Sequence, residues 1–326
     1  MRPFLQLIAR LLGLKKEAPN LDHLLPLHVA LQTDVGQKRP INEDTMVSVI
    51  PDDPRVLLKK GALFIVADGL GGHAKGEVAS RMTVEAVCNV YYQEQQSSDI
   101  GSLLLRAVER ANEVIYQQID VADKTSFGAM GSTCIAAVLH NNVAYIANVG
   151  DSRAYLVRQG QTRQVSQDHS WVAEQVRAGK LTQEQARGHA RGNIITRCLG
   201  THMDIDVDLF VEPVQDGDTL LLCSDGLSNF VSEEELPAFV EQYEPQESVN
   251  QLIACANERG GTDNITVIVV QVGQVRSFSF APRLALPQRN TFAPVSSDID
   301  DDQSDGTRKL RTFANNETSS PENKLS

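Results

Sequence analysis

The sequence predicts an α+β fold in which two packed antiparallel sheets carry helices on their outer faces. Three observations predict it. Apolar runs of strand length follow one another through hairpin-sized connections, not through the regular strand–helix–strand units of a parallel sheet. Helical periodicity is confined to a few amphipathic stretches. After Ser166 the strand pattern stops for about forty residues and then resumes.

In chain order, residues 28–33, 45–50 and 62–67 read as strands. Two helices follow: Ala79, Met82, Ala86 and Val90 share one face, as do Leu104, Val108, Ala111, Ile115 and Ile119. Strands at 132–139 and 143–149 flank His140, Asn141 and Asn142 as a hairpin, and residues 154–157 lead through Gln159 and Gly160 into another strand. The interruption holds polar helical segments at 170–178 and 181–190. Strands resume at 207–211 and 219–223. Ser232 and Glu235 have capping-box spacing and open a helix through Val240, a second helix covers 248–258, and residues 265–270 close the pattern as a strand.

A chain of 326 residues exceeds an average domain, yet folds of roughly 200–250 residues are routinely single units. One core over 27–275 is therefore expected, with an N-terminal extension (1–26) and a polar, aperiodic, disordered tail (276–326). The net charge of −12 excludes a basic footprint for nucleic acid. The tail carries seven acidic and six basic residues over 277–326, and residues 1–26 carry two against four, so the excess negative charge lies in the core. Cys88, Cys134, Cys198, Cys223 and Cys255 stand singly in apolar stretches, as core residues do in a reducing compartment. The apolar, arginine-interrupted segment 1–14 is too short to span a bilayer and has no small-residue cleavage site after it. It reads as a docking helix, a frayed end or a peripheral membrane contact, and a cytoplasmic protein is expected.

Chemistry is concentrated where strands end. The buried run beginning at Phe64 delivers Asp68, followed by Gly69, Leu70, Gly71, Gly72 and His73, so bare backbone stands beside a carboxylate. Residues 219–226 repeat the pattern with Asp225 and Gly226, while Asp263 precedes the last strand and Glu43 and Asp44 precede the second. Any one of these is also what a turn or helix cap looks like. Together, without a matching His or Cys set, they describe an oxygen-donor site for Mg2+ or Mn2+ and not for zinc. Two such ions about 3.5–4 Å apart activate a water and stabilise in-line attack on phosphorus.

The order and flanks of these motifs resemble the protein phosphatase 2C family of metal-dependent serine/threonine phosphatases, in its bacterial form. The resemblance runs from about Leu27 to Val272. It rests on Val35 to Arg39 with Asn42, Glu43 and Asp44, Ala67 to His73 with Gly76 to Ser80, Gly131 to Thr133, Asn148 to Arg153, Gln167 to His169, Ser224 to Leu227, and Thr262 to Asn264. It implies an α-β-β-α sandwich with a flap near 167–200, and hydrolysis of phosphoserine and phosphothreonine in proteins by a metal-activated water held between two Mn2+ or Mg2+ ions. A eukaryotic-type serine/threonine kinase and its substrates are the implied partners.

By the same resemblance, Asp68 bridges both ions, Glu43 and the Gly69 carbonyl hold one, Asp225 and Asp263 hold the other, and Asp44 acts through a water. Asp151 either joins a third, weaker site or caps a hairpin corner. Arg39 either forks onto phosphate oxygens or is a surface arginine. Eukaryotic relatives place a histidine directly after the Asp-Gly pair, where this chain has Leu70. His73 stands as the alternative general acid, beside a structural role for it and a metal-bound water as donor. His169 reads as a hinge or packing residue, and Ser132 and Thr133 as packing or supporting residues. Two alternatives stand beside this reading: a phosphoprotein sensor, disfavoured by the intact Asp68, Asp225 and Asp263, and an anti-sigma-antagonist phosphatase, whose common sensory domain is not visible in this sequence.

Overall fold

A computed structural model describes residues 24–71, 75–94, 99–119 and 130–274. The expectations for the N-terminal segment up to 23, for His73 and for the tail from 275 lie outside the described residues. No helix among those described is long and apolar enough to cross a membrane.

Two antiparallel sheets stack face to face. The first orders Leu27–Asp34 (β1), Ile265–Val272 (β11), Thr219–Cys223 (β10), Arg153–Arg158 (β7) and Gln161–Gln164 (β8). The second orders Asp44–Val49 (β2), Ala62–Leu70 (β3), Cys134–His140 (β5), Val143–Val149 (β6) and Asp208–Pro213 (β9), with Gly131–Ser132 (β4) also on β3. Alternation along β3 builds both sides of this sheet. Ala62, Phe64 and Val66 point between the sheets against Leu220, Leu222, Ile268 and Val270. Leu63, Ile65 and Ala67 point outward onto helices Lys75–Gln93 (α2) and Ile100–Gln118 (α3), meeting Val87, Leu104 and Ile115. On the other outer face Leu221, Val267 and Val269 pack on Leu236–Val240 (α7) and Pro245–Glu258 (α8). Burying each such side chain contributes about 1.5–3 kcal/mol, and two-sided burial explains why β3 and β11 read as continuous apolar runs. The α-β-β-α sandwich expected from the sequence is the one found.

Differences from expectation are local. Residues 54–60 form a short helix (α1, Pro54–Lys60), N-capped by Asp53 with Pro54 at the first position; both signals were present, but seven residues show no periodicity. The hairpin turn is Asn141–Asn142 alone, both at positive φ (49° and 60°), and His140 belongs to its strand. The segment read as a helix over 181–190 is helical only at Gln183–Ala186 (α5), behind a Thr182 capping box; its companion spans Trp171–Arg177 (α4). At Ser232 the Glu235 carboxylate accepts the expected backbone N–H at 2.9 Å, but Arg259 holds the same carboxylate (Nη2 at 2.6 Å) and the helix starts only at Leu236.

Lys60 ends α1 almost fully buried, 4% exposed. Its ammonium donates to Tyr91 O (3.2 Å) and Glu94 O (2.6 Å), capping the end of α2, and the Tyr91 hydroxyl donates back to Lys60 O. Lys60→Met should cost about 1–3 kcal/mol, since one buried and one half-buried carbonyl lose their donor. Urea unfolding measures this.

Candidate metal centre

The carboxylates meet where β2 and β11 begin and β3 and β10 end. Asp44 and Asp68 are direct register partners across β2 and β3. Asp68 is held by its backbone: its N–H donates to Thr133 Oγ1 (2.9 Å), and its carbonyl accepts from Thr133 N–H (2.8 Å) and Ser132 Oγ (3.3 Å). The threonine hydroxyl thus replaces a ladder carbonyl opposite the aspartate. This also explains why the strand is interrupted at Thr133.

Glycines bring bare backbone together on the Glu43 side. Gly69 N–H donates to Glu43 O at 3.1 Å, and a Cβ on Gly69 would lie 2.1 Å from Gly76 O. A Cβ on Gly76 would lie 2.5 Å from Glu43 Oε1. On the other side Asp225 opens the four-residue helix Asp225–Ser228 (α6), with Asn229 Nδ2 donating to its Oδ2 at 3.2 Å. Gly226 packs so tightly on the strand opposite that a Cβ would stand 1.9 Å from Asn264 O. Arg39 Nη2 donates to Asp263 Oδ2 at 2.9 Å.

Two residues without an assigned role in the sequence reading tie the rim together. Asn264 accepts from Glu43 N–H (2.8 Å) and donates to Val35 O (2.9 Å) and Ile41 O (3.0 Å), so one side chain shapes the loop that carries Arg39 and Glu43. Ser224 Oγ donates to Asp44 Oδ2 at 2.8 Å and accepts from Thr266 N–H at 3.0 Å, joining the two sheets. The available signal was a polar residue at the buried end of an apolar strand. Asp151 lies at the corner between β6 and β7, where Gly150 has φ 108° and packs on Thr133. Thr133 Oγ1, already on Asp68 N–H, lies 2.8 Å from Ser152 Oγ. His73, the remaining expected site residue, is outside the described residues.

Electrostatics mark the rim as a place for cations. Burial, and then the nearby Asp68 charge, push the Asp44 carboxyl well above the usual carboxylate range, against the opposing effect of hydrogen bonds from Thr266 and Ser224. Burial also raises Glu43; Arg39 opposes this, and Asp68 and Asp263 add to it. Asp44 Oδ1 is buried with no hydrogen-bond partner. Among the described residues no three His, Cys, Asp or Glu side chains form a ready-made metal cage. A hard cation that keeps several waters needs only one or two carboxylates and a carbonyl from the protein, so the oxygen donors present fit Mg2+ or Mn2+.

A two-sheet sandwich with helices outside and an oxygen-donor rim edged by an arginine defines a metal-dependent phosphohydrolase. Residues 51–260 match the profile of the family Protein phosphatase 2C. The serine/threonine phosphatase stp of Listeria innocua is 38% identical over 251 residues, which cover 75% of this chain and 96% of that protein. Among solved structures, the serine/threonine phosphatase PstP/Ppp of Mycobacterium tuberculosis superposes with a TM-score of 0.67 at 34% identity, covering 77% of this chain and 100% of that one. The PstP catalytic domain in complex with two manganese ions gives 0.65 at the same identity and coverage. The chain belongs to the protein phosphatase 2C family. It is a metal-dependent protein serine/threonine phosphatase, a hydrolase acting on phosphoproteins.

Proposed function

We propose that this phosphatase works with two Mn2+ or Mg2+ ions, which Asp68 would serve in common, Glu43 and the Gly69 carbonyl would help hold on one side, and Asp225 and Asp263 would hold on the other. Asp44 is placed behind a water, and Asp151 in a third, weaker site. The observation that carries the reading is the convergence of Glu43, Asp44, Asp68 and Gly69 at the ends of paired strands, with a buried Asp44 oxygen awaiting a partner. When bound, the ions supply the Lewis acidity that ionises a water near neutral pH and offsets phosphate charge. The chain's own groups do the rest: the β3 and β2 ends fix carboxylate spacing, Asn264 sets the Arg39–Glu43 loop, and the bonds of Ser132 and Thr133 keep Asp68 oriented. Titrating the metal-stripped protein with Mn2+ by calorimetry, alongside phosphopeptide hydrolysis, tests this. Full turnover in excess chelator would overturn it.

Arg39 is placed on the phosphate oxygens, with the fork beyond its Asp263 contact available to substrate. Arg39→Ala should raise KM about tenfold with a smaller change in kcat, because the contact already exists in bound substrate. An unchanged KM would make Arg39 only a brace for Asp263. His73 is assigned the general acid role from its place in the motif; His73→Gln should remove the basic limb of the kcat profile.

Substrate choice is placed in the flap, which stands beside the rim without supplying the ligands named above. Removing residues 171–193 should slow hydrolysis of phosphoproteins far more than that of para-nitrophenyl phosphate. The opposing enzyme is a eukaryotic-type serine/threonine kinase that makes those phosphoproteins. The five cysteines stand singly, four of them buried, which suits a cytoplasmic location.

A further inference from the structure

The flap presents charge of the sign opposite to the net charge of the chain. Its root is closed by a bridge between Ser170 and Ile195, with Trp171 N–H donating to Ile194 O at 2.8 Å, and Ile195 and Cys198 pack on Leu70, just beyond Asp68. Past that root, α4 and α5 bury no residue. Over 171–193 the flap carries four basic residues against two acidic, in a chain of net charge −12, and all four, Arg177, Lys180, Arg187 and Arg191, are exposed. Arg177 Nη1 donates to Asp168 O at 3.1 Å and Arg191 lies 4.9 Å from the Trp171 ring, but none of the four has an ion-pair partner among the described residues. Arg197, nearer the root, is by contrast held by Asp208 at 2.8 Å.

The chain also carries the complementary segment. Five of the seven acidic residues in 277–326 fall within 298–305, namely Asp298, Asp300, Asp301, Asp302 and Asp305, with no basic residue among them. The run lies beyond residue 260, where the family profile ends, so the family assigns it no task. Its reach is sufficient. From the rim, β11 runs eight residues away, about 26 Å, and at its far end Gln274 N–H donates to Asp216 Oδ1 at 2.9 Å. Residues 275–297 separate that point from the run, and a chain of about 23 residues without regular structure spans about 25–30 Å on average. A segment tethered over such a span sits at an effective concentration on the order of mM, so even a weak contact is populated.

We propose that the acidic run 298–305 lies along the basic face of the flap of its own chain and competes there with phosphoprotein substrates. The proposal rests on the reading that the flap governs substrate choice. The contact is with the flap and not with the metal rim, so hydrolysis of a small aryl phosphate is left as it is.

In the full chain, Asp298→Asn, Asp300→Asn, Asp301→Asn, Asp302→Asn and Asp305→Asn together should lower KM for a long neutral phosphothreonine peptide about fivefold and leave turnover of para-nitrophenyl phosphate unchanged. Exposed charges are screened by salt, so the difference from wild type should vanish near 1 M salt, where the Debye length is about 3 Å. Lys180→Glu with Arg187→Glu should abolish the effect of the tail substitutions, since the face they act through is gone. Two readouts do not involve turnover. Trp171, the single tryptophan of the chain, has its ring 5.2 Å from His189 and reports the flap, so a synthetic peptide of residues 296–307 added to the Asn-substituted protein should shift its emission. Trypsin should cut at the exposed Arg177, Lys180, Arg187 and Arg191 faster in the Asn-substituted protein than in the wild type. Wild-type protection should persist on dilution over about two orders of magnitude, as a contact within one chain requires. Wild-type KM together with wild-type flap cleavage in the substituted protein overturns the proposal, and protection lost on dilution overturns it by assigning the contact to a second copy. Faster flap cleavage with an unchanged KM leaves the tail on the flap and overturns instead the reading that the flap governs substrate choice.

Discussion

Asp68→Asn is expected to lower phosphopeptide turnover by at least about 10³-fold while the protein stays folded. Removing one well-placed electrostatic group from a catalytic site typically costs 10²–10³, and Asp68 is the carboxylate proposed to serve both ions. Its backbone bonds to Ser132 and Thr133 do not involve the carboxylate, so asparagine keeps the strand end in place. The metal-free variant should be slightly more stable than the wild type, because the Asp68 charge is one of the causes raising the Asp44 carboxyl. The sign follows from linkage. A folded carboxyl raised above its unfolded value binds more protons than the unfolded chain, so wild-type stability in chelator falls as pH rises from the ordinary carboxylate range towards the raised Asp44 value. The asparagine variant should show a weaker fall. Circular dichroism melts in chelator across pH 4–7.5, with turnover measured in saturating Mn2+, check both halves. Substantial turnover in Asp68→Asn would remove it from the metal centre.

Gly226→Ala should be nearly as damaging for a different reason. The new methyl would stand 1.9 Å from Asn264 O, and backbone cannot swing aside as a side chain can. The segments carrying Asp225 and Asp263 must separate, and overpacking of this kind costs about 1–3 kcal/mol or more. Misplacement of catalytic groups by about 1 Å can cost 10²-fold in rate. Gly69→Ala should behave alike, since its Cβ would meet Gly76 O at 2.1 Å and Glu43 O at 2.6 Å. Gly179→Ala is the control. It faces open space, and only its φ of 67° is strained, so it should cost about 1–2 kcal/mol and leave turnover on para-nitrophenyl phosphate intact. Urea melts and initial rates on the three variants separate strain from clash; wild-type rates in Gly226→Ala would mean that the two ligand segments tolerate separation.

Much of the site was legible because its signals are local. A carboxylate after a buried strand, with glycine behind it, is visible at Asp68, Gly69, Asp225 and Gly226 without knowing what lies opposite. The elements missed or misplaced are those where local signals are short or compete. Pro54–Lys60 has caps but too few residues for a period, and residues 181–190 have helical composition but no apolar face to bury, so only Gln183–Ala186 forms. Ser224 and Asn264 were quoted in motifs yet given no task. Their partners lie in other parts of the chain, and a hydroxyl or amide does not announce its acceptor.

By itself the sequence determined the kinds of element, the apolar runs that become β3 and β11, and the family. Each follows from residue type and periodicity over a few neighbours. Tertiary structure alone decided which groups meet: Asp44 opposite Asp68 by strand register, Ser224 on Asp44 across 180 residues, Arg39 on Asp263 across 224, and His169 between Gly150 and Asp208. The reason is that a side chain's partner is set by register and by the stacking of one sheet on another. Both are fixed only when distant strands have paired, and a shift of one residue in either would turn the same carboxylates to opposite faces.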